Sequence, residues 1–150
     1  MSDYFVKVIP DNPFCCVDAR AAEQARSYLE ECMMAMSVEV WRHEQPAFVD
    51  SGGYLGEIAC PFCGSELWDW WGAVMDEDAG ETGLFAQLDE KKLPCCGGRA
   101  SLNDLKYDYP CGFACTEIVL LNPRKELANQ HIREVERLLG MHIKVIYSRL

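Results

Sequence analysis

Apolar and polar positions divide the chain into two similar ends and an irregular middle. Tyr4 to Ile9 is a β-branched and aromatic run stopped by Pro10, the signature of a strand. Asp18 then stands where it can cap a helix running through Met36. Ala22, Ala25, Leu29, Cys32 or Met33, and Met36 recur at three- and four-residue steps, while Glu23, Arg26 and Glu30 fall elsewhere. Packing explains that stripe, Met33 and Met36 included, better than a methionine-lined binding groove made with Met34. Ser37 to Trp41 alternates as a second strand, with Ala47 to Asp50 as its partner across the polar turn His43-Glu44-Gln45-Pro46. Ser51-Gly52-Gly53 breaks the pattern, and Leu55 to Ala59 is a further short strand.

The C-terminal end repeats this order. Phe113 to Leu121 is a strand whose last four residues are apolar on both faces, as in the centre of a covered sheet. Asn122-Pro123 predicts a helix start, with Asn as N-cap and Pro at the first helical position. Ala128, Ile132, Val135 and Leu139 form its apolar stripe, flanked by Leu127 and Leu138, and Gly140 ends it. His142 to Ser148 alternates Ile143, Val145 and Tyr147 against His142, Lys144 and Ser148, which suits an edge strand.

Strand-helix-strand, twice, predicts the α+β class: a ferredoxin-like βαβ–βαβ antiparallel sheet with a zinc-ribbon insertion between its second and third strands. Residues 1–150 then make a single α+β domain, with 54–113 as the inserted ribbon and its Trp-rich helix. No internal sequence repeat accompanies the duplicated pattern.

The insert carries the chemistry. Cys60-Pro-Phe-Cys-Gly64 is a knuckle in which two thiolates, two residues apart and followed by Gly, face one point. Leu93-Pro-Cys-Cys-Gly97 supplies the other side of a tetrahedron, although a standard ribbon would place its third cysteine at Leu93. The expected zinc ligands are Cys60, Cys63, Cys95 and Cys96. Cys111, in a Pro-Cys-Gly turn, is the rival fourth ligand, and Cys115 belongs to the core. A redox dithiol at Cys60 and Cys63 is the competing reading, but a thioredoxin-like pair would lead directly into a long helix and would need no second pair. Four sulfurs close the coordination shell, so the metal is expected to be structural. Lys91, Lys92 and Arg99 bracket the second turn and can offset the net −2 of a four-thiolate zinc centre.

Between the two turns, Ser65 can cap a helix bearing Leu67, Trp70 or Trp71, and Val74, followed by the acidic run Asp76-Glu77-Asp78. Trp68, Trp70 and Trp71 are too many to face inward together. Packing is the first explanation for them and an exposed aromatic anchor the second. The acidic run is not an EF-hand, because Gly80 falls one place early and no Glu closes the loop.

Composition narrows the function. Fourteen basic residues against twenty-four acidic ones give a net charge of −10, which repels a phosphate backbone and suits a basic protein partner. Only Lys91, Lys92, Arg99 and Lys106 favour nucleic acid. Nine cysteines, an opening run without a secretory signal and no segment of membrane-spanning length predict a cytoplasmic protein with reduced thiols and no membrane partner. No Ser/His/Asp set, Cys/His nucleophile, phosphate loop or carboxylate pair has useful spacing. His43, His131 and His142 are expected at the surface, and turn capping explains Asn103 and Asp104 beside Tyr107.

Cys60-Pro-Phe-Cys-Gly64, Leu67-Trp-Asp-Trp-Trp-Gly72 and Pro94-Cys-Cys-Gly97, with Ser101-Leu-Asn-Asp-Leu105, Tyr107-Asp108, Pro110 and Gly112-Phe113, resemble the core of a bacterial zinc-ribbon protein family with no assigned activity. The resemblance spans the middle third to half of the chain. It implies that Cys95 pairs with Cys96 and lowers the claim of Cys111. The expected function is a non-catalytic, zinc-stabilised protein-binding module of immunity or adaptor type. A nucleic-acid-binding ribbon and a thiol-redox or other enzyme are the alternatives, and a second copy can cover the open sheet face as a homodimer.

Overall fold

The computed structural model describes residues 3–52 and 55–149. Gly53 of the expected break, and Tyr54 at the expected start of the insert, lie outside the described residues. The chain is a mixed α+β protein whose main sheet has four strands in the order β2-β7-β1-β8, every neighbouring pair antiparallel. These are β1 (Tyr4–Pro10), β2 (Ser37–Val49), β7 (Gly112–Leu121) and β8 (Ile143–Arg149). Helices α1 (Ala19–Met33) and α3 (Asn129–Leu139) pack with Val6, Val8, Val38, Ile118 and Leu120 into one core cluster. Between β2 and β7 lie α2 (Trp68–Ala79) and two small ladders. One pairs β3 (Ile58–Ala59) with β6 (Lys106–Tyr107), the other β4 (Lys91–Lys92) with β5 (Arg99–Ala100). Among the described residues no helix is long and apolar enough to cross a membrane.

Asp18 caps α1 as expected, its Oδ2 accepting from the Arg20 and Ala21 N–H groups at 3.1 and 3.2 Å. Ala22, Ala25, Leu29 and Met33 are its buried stripe. Burying Leu29 alone contributes on the order of 1.5–3 kcal/mol. The helix stops three residues short of the expected end. Met34 turns into the left-handed region at φ 52°, and Met36 leaves the stripe to stand 75% exposed, its N–H donating to the Leu121 carbonyl at 2.8 Å.

The expected hairpin across His43 to Pro46 does not form. Ser37 to Val49 is one strand, and both halves pair with β7: Arg42 opposite Thr116 and Ala47 opposite Ala114, so His43 to Pro46 stand against Cys115 alone. β7 is the better template because it is a ten-residue strand with room for both halves, and the surplus residues are absorbed as a bulge.

Asn122 does not start a helix. It sits at φ 47°, and its Oδ1 accepts the Tyr4 N–H at 2.8 Å, serving β1 across the sheet. α3 begins only at Asn129, where the His131 Nδ1 accepts the Ala128 N–H at 3.0 Å, and Gly140 closes it in the left-handed region. Strand β8 lies at the edge, yet its supposed polar side is not solvent. Ile146 and Ser148 are buried, while Tyr147 is exposed and stacks on Tyr4 at 6.2 Å.

The residues between β2 and β7 have their own core, in which Leu55, Ile58, Cys60, Leu67, Phe85 and Leu93 join Phe113 of the sheet. Phe85 and Phe48 meet the Phe113 ring at 5.0 and 5.2 Å, and so tie this core to the strands. The strand expected from Leu55 shrinks to Ile58 and Ala59.

Candidate metal centre

Two turns, one after β3 and one after β4, bring the sulfurs together. In the first, the Cys60 N–H donates to the Ser65 carbonyl at 2.9 Å and the Gly64 N–H to the Cys60 carbonyl at 3.0 Å. Gly64 takes φ +77°, a left-handed conformation that costs a non-glycine residue about 1–2 kcal/mol. The same turn aims the Phe62 and Cys63 N–H groups at the Cys60 Sγ, at 3.3 and 3.4 Å. The second turn has the same bonds. The Leu93 N–H donates to the Gly98 carbonyl at 2.8 Å and the Gly97 N–H to the Leu93 carbonyl at 3.1 Å, with Gly97 also at φ +77°.

Cys60, Cys63, Cys95 and Cys96 offer four Sγ atoms within 4.8 Å of one another. The Cys60 and Cys96 sulfurs are 3.7 Å apart. A tetrahedron of 2.3 Å metal–sulfur bonds has edges of about 3.8 Å, so this spacing fits a metal ion, whereas a disulfide needs about 2.05 Å. Four close cysteines can therefore hold a metal. Cys111 and Cys115 are not in the cluster among the described residues; Cys111 is buried, and burial pushes its thiol up to about 12.

The sulfurs are electrostatically unequal. The Ser65 hydroxyl and backbone N–H hold the Cys63 thiol down to about 6. Burial works to raise Cys60, but the Cys63 and Phe62 N–H donors bring it below its ordinary value. At Cys95, burial and then the neighbouring sulfurs of Cys63 and Cys60 push the thiol up to about 12. The Gly98 N–H is the largest influence on Cys96 and lowers it, but burial and Cys60 leave it raised. Without a cation the four thiols oppose one another's ionisation, which a divalent ion at their centre would relieve.

The surroundings depart from the sequence expectations in several places. Ser65 does not cap α2; the Glu66 carboxylate accepts the Trp68 N–H instead. Asp76, Glu77 and Asp78 belong to the helix rather than following it. Trp70 and Trp71 pack on the insert core, the Trp71 Nε1–H donating to the Tyr107 hydroxyl at 3.1 Å, while Trp68 and Phe62 are exposed. Tyr107 in turn donates to the Leu102 carbonyl at 2.5 Å, and burial pushes its phenol well above the usual range. Asn103 and Asp104 are turn residues, bonded to the Ser101 hydroxyl. Lys91 pairs with Asp78 at 3.1 Å and Arg99 donates to the Glu90 carbonyl at 3.1 Å, so neither is directed at the sulfurs.

His43 is not simply a surface residue. Its Nε2 lies 2.6 Å from the Glu117 carboxylate, a side chain only 6% exposed on β7. Seventy-four positions separate the two, and only the shared sheet brings them together. A shallow groove of 250 Å³ beside the second turn, lined by Glu66, Leu67, Asp69, Trp70, Pro94 and Cys95, was equally invisible in the sequence. Comparison of the chain with protein-family models, with curated proteins and with solved structures finds no match.

Proposed function

We propose that the chain is a non-catalytic, zinc-stabilised module that binds a basic protein, built as a ferredoxin-like βαβ–βαβ sheet carrying a zinc ribbon between its second and third strands. The strand order β2-β7-β1-β8, with α1 and α3 in one cluster, supports the ferredoxin-like reading. The single observation that carries the rest is the convergence of Cys60, Cys63, Cys95 and Cys96 to tetrahedral spacing.

An all-sulfur donor set favours zinc over hard cations and leaves no open coordination position for a reacting water. The ion would supply a crosslink between the two turns. Structural zinc sites contribute about 10–16 kcal/mol of apparent binding energy in peptides, ample to organise a small core such as that around Leu67 and Leu93. Three of the four cysteines are exposed, which suits a reducing compartment such as the cytoplasm. The net charge of −10 and the exposed Trp68 and Phe62 favour a basic partner with apolar contacts.

The test has two readings on one preparation. Protein purified from its native host without chelators should carry one zinc per chain by elemental mass spectrometry, and should co-purify with a basic protein in a stoichiometric, salt-sensitive complex. Absence of bound metal rejects the zinc ribbon, and recovery of nucleic acid alone rejects the protein-binding role.

A further inference from the structure

We infer that a small cavity on the sheet face opposite α1 and α3 binds a free amino acid with an apolar side chain. Phe5, Lys7, Trp41, Asp50 and Ser148 line it, and it encloses about 160 Å³. Phe5 and Lys7 of β1, Trp41 of β2 and Ser148 of β8 alternate along their strands with Val6, Val40 and Val145, which pack with the two helices. The cavity therefore belongs to the other face of the sheet. Its volume is below the roughly 300–1,000 Å³ of sites for drug-sized ligands, so the occupant is a small molecule.

Ser148 is the observation that points to a ligand. It is 2% exposed and stands opposite Phe5 in the ladder of β1 and β8, and its hydroxyl has no hydrogen-bond partner among the described residues. Buried hydroxyls are normally paired, so this one is unused binding capacity in the wall of a cavity.

The charges of the lining narrow the ligand further. Lys7 is half-buried and makes no ion pair or hydrogen bond among the described residues, in a chain of net charge −10. The nearby carboxylates of the sheet are engaged elsewhere. Glu117, two residues from the Val119 that faces Lys7, lies 2.6 Å from His43, and Glu39 accepts the Trp41 Nε1–H at 3.0 Å. Asp50, in the same cavity, accepts the Gly52 N–H on Oδ1 at 3.2 Å and keeps Oδ2 without a partner among the described residues. An anion alone would be opposed by Asp50, and a cation alone by Lys7. A zwitterion meets both demands, its carboxylate taking Lys7 and the Ser148 hydroxyl and its ammonium taking Asp50. The rings of Phe5 and Trp41 are the apolar wall for its side chain. This site is separate from the sulfur centre and from the basic-partner reading.

The experiment uses the isotope-labelled full chain, with its zinc content measured in the same samples. Leucine, valine and methionine are titrated individually while amide and indole resonances are followed by NMR. Isocaproate, which is leucine without its amine, and isoamylamine, which is leucine without its carboxyl, serve as controls. The amino acids should saturably shift the Trp41 indole and the Lys7 and Ser148 amides, with a Kd of about 1 mM or tighter. Each leucine fragment should bind at least about tenfold more weakly than leucine. Lys7→Met, which keeps the stem and removes the charge, should weaken amino-acid binding by at least about tenfold, and Ser148→Ala by several-fold, while Lys106→Met on β6 leaves it unchanged. Either fragment binding as tightly as leucine, unaltered affinity in Lys7→Met, shifts confined to residues outside the cavity, or no saturable shift with any of the three amino acids overturns the assignment. The fragment titrations need only the unaltered chain, so they decide the matter even where a variant fails to fold.

Discussion

Leu93 holds in the second turn of the sulfur site the place that Cys60 holds in the first. Each is 1% exposed, each donates its N–H to the carbonyl five residues on and accepts from the glycine four residues on. A sulfur at this place is missing from the second turn, and Cys95, at the place of the exposed Phe62, takes over as the neighbour of Cys96. The irregular Cys-Cys pair is thus a standard turn with one cysteine moved.

Because the backbone of that turn is ordinary, the ligand can be moved back. Cys95→Ser should lower zinc affinity by more than the roughly 10–100-fold that loss of an outer partner costs. Adding Leu93→Cys to it should restore one zinc per chain, at a packing cost of about 1–2 kcal/mol. Competition with a chromogenic chelator measures both, and Cys111→Ser should keep its metal.

Gly98 couples the two turns. A Cβ there would come 2.6 Å from the Phe62 Cδ2 and 3.4 Å from the Cys96 Sγ. Gly98→Ala should therefore destabilise the protein by about 1–3 kcal/mol, and by clearly less in a Phe62→Ala background, since the exposed ring is then gone. Thermal unfolding of the four proteins of that cycle gives the coupling, and equal costs in both backgrounds would contradict the contact.

In protein stripped of metal by a chelator, Cys63 should be the first of the four cysteines alkylated at neutral pH. Its thiol, held near 6, is then a thiolate, and its reactivity should fall as the pH drops through 6. Cys95, pushed up to about 12, should react slowest. Peptide mapping of partially alkylated samples reads the order, and added zinc should protect all four.

The contact between His43 and Glu117 should matter more than a surface pair. His43→Ala leaves a nearly buried carboxylate without its partner and should cost about 2–3 kcal/mol in chemical denaturation, discounted from a full buried pair because His43 is 26% exposed. Glu117→Gln, which removes the charge and keeps a polar group, should cost less.

The periodic stretches were legible from the chain alone. Asp18 as a cap, the stripe of α1, the doubly buried Ile118 to Leu120, and Gly140 as a stop are local facts of spacing and backbone chemistry. The four cysteines were legible too, since a sulfur cluster depends on short turns whose residues are adjacent. Misreadings arose where a distant segment competed with a local signal. Asn122 has the side chain of a helix cap and spends it on the Tyr4 N–H, 118 positions away. His43 to Pro46 has the polarity of a hairpin turn, but β7 offered both halves of β2 a longer partner.

Sequence alone determined which residues were to be buried along each element and which four thiols could share an ion, because periodicity and turn chemistry act over a few residues. Tertiary structure decided which strand each half of β2 would pair with, that Glu117 would meet His43, and that Cys95 would line one groove with Glu66, Asp69 and Trp70. Those outcomes depend on contacts between residues far apart in the chain, whose energies exist only once the sheet and the insert core have assembled.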